Sequence, residues 1–108
     1  MNAFAAFERN PFFVYTPGEG GAVLYDPHHK RTIWMDAQGV RLWEFLAEPR
    51  GESDLSTFLG AHALETMRLA RALELVVDAR RFPSRSVRPP MGVAPVFEVL
   101  DGPPVRVE

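Results

Sequence analysis

The residues able to do chemistry fall in a few places. His28 and His29 are adjacent, Asp26, Asp36, Glu44 and Glu48 supply carboxylates near them in the chain, and Gly18-Glu19-Gly20-Gly21 is glycine-rich. A metal centre needs three or four ligands that converge; adjacent residues in a turn point apart and no third ligand is evident, so the histidines read as solvated turn residues. General acid–base work needs two carboxylates across a cleft, or one beside a nucleophile. No such pairing is visible, and these acids read as helix caps and surface groups. The glycine stretch lacks the phosphate-loop lysine and is not followed by a strand-to-helix transition, so it reads as a hairpin loop. With no cysteine there is no disulfide framework, thiolate metal site or cysteine nucleophile. The chain is therefore expected to be neither an enzyme nor a cofactor carrier.

The elements that would position these residues are few. At 108 residues the chain is long enough for one small core. A net charge of -2 offers no global attraction to nucleic acid or to an anionic membrane. Met1–Pro11 reads as an arm in which Ala3–Phe7 forms at most a helical turn, stopped by Asn10-Pro11. It has no basic start before an apolar run, so no signal peptide is expected, and no uncharged apolar run approaches the ~20 residues that span a bilayer. Strands are predicted at Phe12–Thr16, Ala22–Tyr25 and Lys30–Asp36, with Asp26-Pro27 opening the turn before the last. Asp36 is a good N-cap for a helix from about Ala37 to Ala47, striped by Val40, Trp43, Phe45 and Leu46. A short helix follows from Ser53 or Asp54 to Gly60, and a third from about His62 to Val76 or Val77. The expected fold is α+β and winged-helix-like: a three-stranded antiparallel sheet, then three helices, then a proline-rich C-terminal extension. In domain terms, 1–11 is an arm, 12–78 the folded domain, and 79–108 a basic, proline-rich linker with a β-prone tail.

Gly21-Ala22-Val23-Leu24-Tyr25-Asp26, a polar turn, a strand ending in Asp36, and a helix with Leu42 and Leu46 together resemble the pyrroloquinoline-quinone biosynthesis protein D (PqqD-like) family. These domains are also called RiPP recognition elements, RiPP meaning ribosomally made and post-translationally modified peptide. The resemblance covers about Phe12 to Val77. It lies in pattern and order; the middle helix is shorter here and the tail after Asp78 longer. It implies a non-catalytic chaperone that captures the leader of a precursor peptide by strand addition and presents it to a separate peptide-modifying enzyme. Carried over, Arg31, Thr32, Ile33, Trp34 and Met35 would supply the edge backbone, and Thr66, Met67, Ala70, Arg71, Leu73 and Glu74 a helical wall beside it. The residues alone reach a similar place. A terminal strand with unpaired N–H and C=O groups beside an amphipathic helix suits an added strand.

Several rival readings use the same residues. Asp54–Leu73 mimics a DNA-reading helix-turn-helix with Thr66, Arg68 and Arg71 toward a groove, but Glu65, Glu74 and the negative net charge oppose nucleic acid. Trp43 is assigned to the core, Trp34 to either core or groove. Val96–Leu100 and Val105–Val107 alternate like strands; the preferred reading is a loose or separately packed tail, the alternative a segment that occupies the Lys30–Asp36 edge or pairs with a second copy in a homodimer. Cytoplasmic location and no membrane partner complete the expectation.

Overall fold

The computed structural model describes residues 6–102. The strands are β1 (Ala6–Arg9), β2 (Val14–Gly18), β3 (Gly21–Asp26), β4 (Arg31–Asp36), β5 (Val76–Ala79) and β6 (Phe97–Asp101), and the helices α1 (Ala37–Phe45), α2 (Glu52–Leu59) and α3 (Ala63–Ala72), with a 3-10 turn at Gly60–His62. They form an antiparallel sheet of order β2-β3-β4-β6 and a second, two-stranded sheet of β1 and β5. Among the described residues no helix is long and apolar enough to cross a membrane.

This overturns the winged-helix-like expectation of a three-stranded sheet followed only by helices, because strands stand at both ends of the described chain. Three local misreadings account for it. Ala6–Arg9, expected in an arm with at most a helical turn, pairs in register with Val76–Ala79. The third helix stops at Ala72 and not at Val76 or Val77: Leu73 caps it, Glu74 turns the backbone left-handed at φ 58°, and the β-branched Val76 and Val77 extend into β5. The tail is not loose, since Phe97–Asp101 adds to β4 as the fourth strand of the larger sheet. Met1–Ala5 and the β-prone Val105–Val107 lie outside the described residues.

Local chemistry explains the remaining joints. Asp26 Oδ1 accepts the backbone N–H of His28 at 3.0 Å and of His29 at 3.2 Å, an Asx turn that closes the β3–β4 hairpin. Asp36 ends β4 and caps α1, accepting the Gly39 N–H at 2.9 Å. One face of the larger sheet carries Ala22, Leu24, Ile33 and Met35, which meet Leu42, Leu46, Leu59, Ala70 and Leu73 of the helical layer in one core. Phe45 and Phe58 stack across α1 and α2 with ring centroids 4.0 Å apart. Trp43 is in this core, stacked near Phe13 at 6.2 Å, whereas Trp34 is half-buried on the other face of the sheet.

Candidate functional site

Strand β4 is the element on which the sequence reading converged, and its two sides differ. On one side β3 pairs with it along its whole length, from Gly21 opposite Asp36 to Asp26 opposite Arg31. The other side, expected to be a terminal edge with unpaired groups, is not free: there lies the chain's own β6, antiparallel, with Phe97 opposite Met35, Glu98 opposite Trp34 and Val99 opposite Ile33. Side chains alternate across a strand, so Phe97 and Val99 share the core face with the fully buried Met35 and Ile33, while Glu98 is exposed.

Both ends of the added strand are held by carboxylates. At its start, Asp36 Oδ1, already the cap of α1, also accepts the Val96 N–H at 3.1 Å, and the Asp36 N–H donates to the Val96 carbonyl at 3.2 Å. At its end the register shifts between Thr32 and Ile33, and there Asp101 Oδ1 accepts the Thr32 N–H at 2.6 Å. A side-chain oxygen thus replaces the backbone acceptor that the irregularity displaces.

The helical residues carried over by resemblance scatter. Thr66, Ala70 and Leu73 are buried, the latter two in the core, and the Leu73 carbonyl accepts Arg31 Nη2 at 3.0 Å. Met67 and Arg71 instead line a 390 Å³ cavity with Phe7, Leu55 and Leu64, and the Arg71 guanidinium lies 4.8 Å from the Phe7 ring centroid. Glu74 reaches His29. So Arg31, Thr32, Ile33, Trp34 and Met35 lie together on one strand, paired on both sides, whereas Thr66, Met67, Ala70, Arg71, Leu73 and Glu74 do not form one wall beside it.

The tertiary fold also supplies the third ligand type that the sequence concealed. His29 Nδ1 is 2.9 Å from Asp26 Oδ2 and 2.9 Å from Glu74 Oε2, and the three groups fall within 4.8 Å of one another. A proton on Nδ1 therefore faces two carboxylates, as the network assigns it. Burial of Asp26 works against its charge, but the hydrogen bonds from the His29 ring and from the His29 and His28 backbone outweigh it and hold the carboxyl below its ordinary range. The buried Arg31 guanidinium is also close, with Nε 3.4 Å from Asp26 Oδ2. With that fixed cation on the same oxygen, the cluster is better suited to tying the hairpin to the end of α3 than to a further cation.

Arg50, which stands just beyond the predicted end of the first helix, is completely buried. Its backbone pairs with Phe7 through two 2.8 Å hydrogen bonds. Its side chain donates from Nε to the Phe45 carbonyl at 2.7 Å, from Nη1 to the Ser86 carbonyl at 2.7 Å and from Nη2 to Glu48 Oε2 at 3.0 Å. The same Glu48 oxygen accepts Ser84 Oγ at 2.9 Å and Ser86 Oγ at 2.6 Å. Those hydroxyl donors lead the effects that hold the Glu48 carboxyl below its ordinary range. Farther along, Arg41 Nη2 donates to the Pro89 carbonyl at 3.0 Å, and the N–H of the buried Met91 donates to the Phe58 carbonyl at 2.8 Å. The proline-rich segment between β5 and β6 is therefore a strap fastened across α1 and α2. The only hint in the sequence was an arginine between Pro49 and Gly51, beside Glu48. Compared with protein-family models, with curated proteins and with solved structures, the chain matches none.

Proposed function

We propose that the chain is a non-catalytic peptide-binding module whose docking edge is β4, and that a guest peptide adds there as a strand in exchange for the chain's own β6. The observation that carries this reading is the occupied edge itself. A segment more than 60 residues downstream of β4 pairs with it antiparallel, places alternate apolar side chains on the core, and joins the body through a strap with no strand or helix of its own. An edge that accepts one extended segment offers the same N–H and C=O groups to another.

Energies permit exchange. Each ladder hydrogen bond contributes a net ~0.5–1.5 kcal/mol, and Phe97 and Val99, which are only partly buried, contribute less than the ~1.5–3 kcal/mol of a fully buried side chain. Tethering sets the tail's effective concentration at about the millimolar level for a flexible connection, and the strap's fastenings raise it. A peptide that matches more of the edge than the tail does displaces it at modest concentration.

With the resemblance to RiPP recognition elements, the guest class is the leader of a ribosomally made precursor, and the beneficiary a separate peptide-modifying enzyme in the same cytoplasmic compartment. Of the three residues of the DNA reading, Thr66 is buried, while Arg68 and Arg71 are exposed, Arg71 beside the Phe7 ring. The test is selection of short displayed peptides on the full-length protein, followed by amide-shift mapping. The expected result is coincident shifts along Arg31–Met35 and Phe97–Asp101. Shifts confined to Arg68, Arg71 and 80–88 on adding duplex DNA, with no peptide reaching β4, would replace this reading by the nucleic-acid one.

A further inference from the structure

The docked tail is also a record of what the edge selects. We propose that guests of β4 carry the pattern seen in Phe97–Gly102: an aromatic residue, a free position, a branched aliphatic residue, a second free position, then aspartate followed by glycine, running antiparallel to β4. The inference rests on the peptide-docking reading above and gives its guest a chemistry.

Each fixed position answers to a feature of the body of the protein and not of the tail. The aromatic slot lies where α1 approaches β4 closely: a Cβ added at Gly39 would stand 2.6 Å from Met35 Cβ, and 3.3 Å from Phe97 Cε1, so the glycine both lets the helix down onto Met35 and leaves room for the ring. That notch beside Met35 accepts a flat ring. The aliphatic position faces Ile33, which is 0 % exposed, and a side chain branched at Cβ covers it from an extended backbone. The aspartate is set by the irregular pairing at Thr32, whose N–H takes a side-chain acceptor at 2.6 Å.

Glycine follows because the backbone turns there with φ 110° while passing over Arg31. A Cβ at Gly102 would lie 2.1 Å from Arg31 Cβ and 2.7 Å from its Cα. Before the aromatic residue a proline is excluded, since Asp36 Oδ1 takes a backbone N–H from Val96. The two free positions are those whose side chains leave the body: Glu98 and Leu100 are both exposed. Aromatic and aliphatic residues on one face of an extended segment are common in peptides, but the aspartate–glycine pair placed two residues beyond the aliphatic is a narrow requirement.

The experiment uses full-length protein and a fluorescein-labelled peptide of sequence Pro95–Gly102, followed by anisotropy. In Asp101→Ala protein the intact tail loses one end, and the peptide is expected to bind about tenfold or more tightly than to the unaltered protein, because its competitor is weakened. Phe97→Ala protein loosens the tail from the other end and gives a second, independent host should the first fold poorly. On either host, peptides bearing Phe97→Ala, Asp101→Ala or Gly102→Val are expected to lose about tenfold in affinity, through a lost half-buried ring, a lost hydrogen bond and a clash with Arg31 respectively, and peptides altered at Glu98 or Leu100 to stay within about twofold. If all these peptides bind alike and shift the Thr32 and Trp34 amides, the pattern is wrong and the docking reading survives. If the tail peptide binds neither host while selected peptides of another pattern reach β4, the pattern is again wrong. Should no peptide of any sequence shift β4, both fall.

Discussion

The two strands that flank β3 illustrate two ways of protecting a strand's far side. β2 lies bare: all five of its residues are exposed and nothing pairs with its outer side among the described residues. It is protected by what it is made of, being short and carrying Pro17, which has no N–H to offer, followed by Gly18. β4 is made of good strand formers, Thr32, Ile33, Trp34 and Met35, and is protected by being covered. Composition is a permanent defence. A cover built from the chain's own segment lasts as long as that segment stays paired, and on the proposed function it is the part that a guest peptide replaces.

The largest break in this contrast should come from Arg50→Ala. It removes the side chain that binds the strap to Phe45, Ser86 and Glu48 and leaves the Phe45 carbonyl without that donor. A loss of about 3 kcal/mol in urea unfolding is expected, together with faster hydrogen exchange in β6 than in β3. Phe97→Ala should cost about 1–2 kcal/mol, because the ring is only partly buried, and should raise exchange at Thr32 and Trp34 while leaving β2 unchanged. Asp101→Ala removes one charge-assisted bond at an exposed site, about 1 kcal/mol or less, with its exchange signature confined to Thr32.

Acid sharpens the comparison from another direction. Folded Asp26 is held below the ordinary carboxyl value near ~4 by its His29 and backbone bonds, so its stabilisation is complete above that value and disappears as the pH falls through the lower folded value. Acid titration followed by circular dichroism should therefore show stability declining below about pH 4, and Asp26→Asn should flatten that decline. The smallest effect belongs to Pro17→Thr. Stability should move by less than about 0.5 kcal/mol, but the restored N–H on a bare edge should raise self-association measured by light scattering.

Part of this was legible in the residues themselves. Asp36 as the cap of α1, Asp26-Pro27 as the hairpin turn, and the strand character of 30–36 all follow from side chains that bond to their own neighbourhood. The partner of β4, the pairing of Ala6–Arg9 with Val76–Ala79, and the convergence of Glu74 on His29 were not legible, because each joins segments from 45 to more than 60 positions apart. Val76 and Val77 show the limit well. Their periodicity continues α3, their branching suits a strand, and only the presence of β1 decides between the two.

What the sequence determined by itself was local: which stretches prefer to extend, where helices begin, and that Val96–Leu100 alternates as a strand does. What the tertiary structure decided was that the hydrogen-bonding row of β4 facing away from β3 is taken by the chain's own β6. The physical reason is that backbone groups carry no address. They pair with whichever complementary segment is held nearest, and here Arg50, Glu48 and the buried Met91 hold the tail nearest.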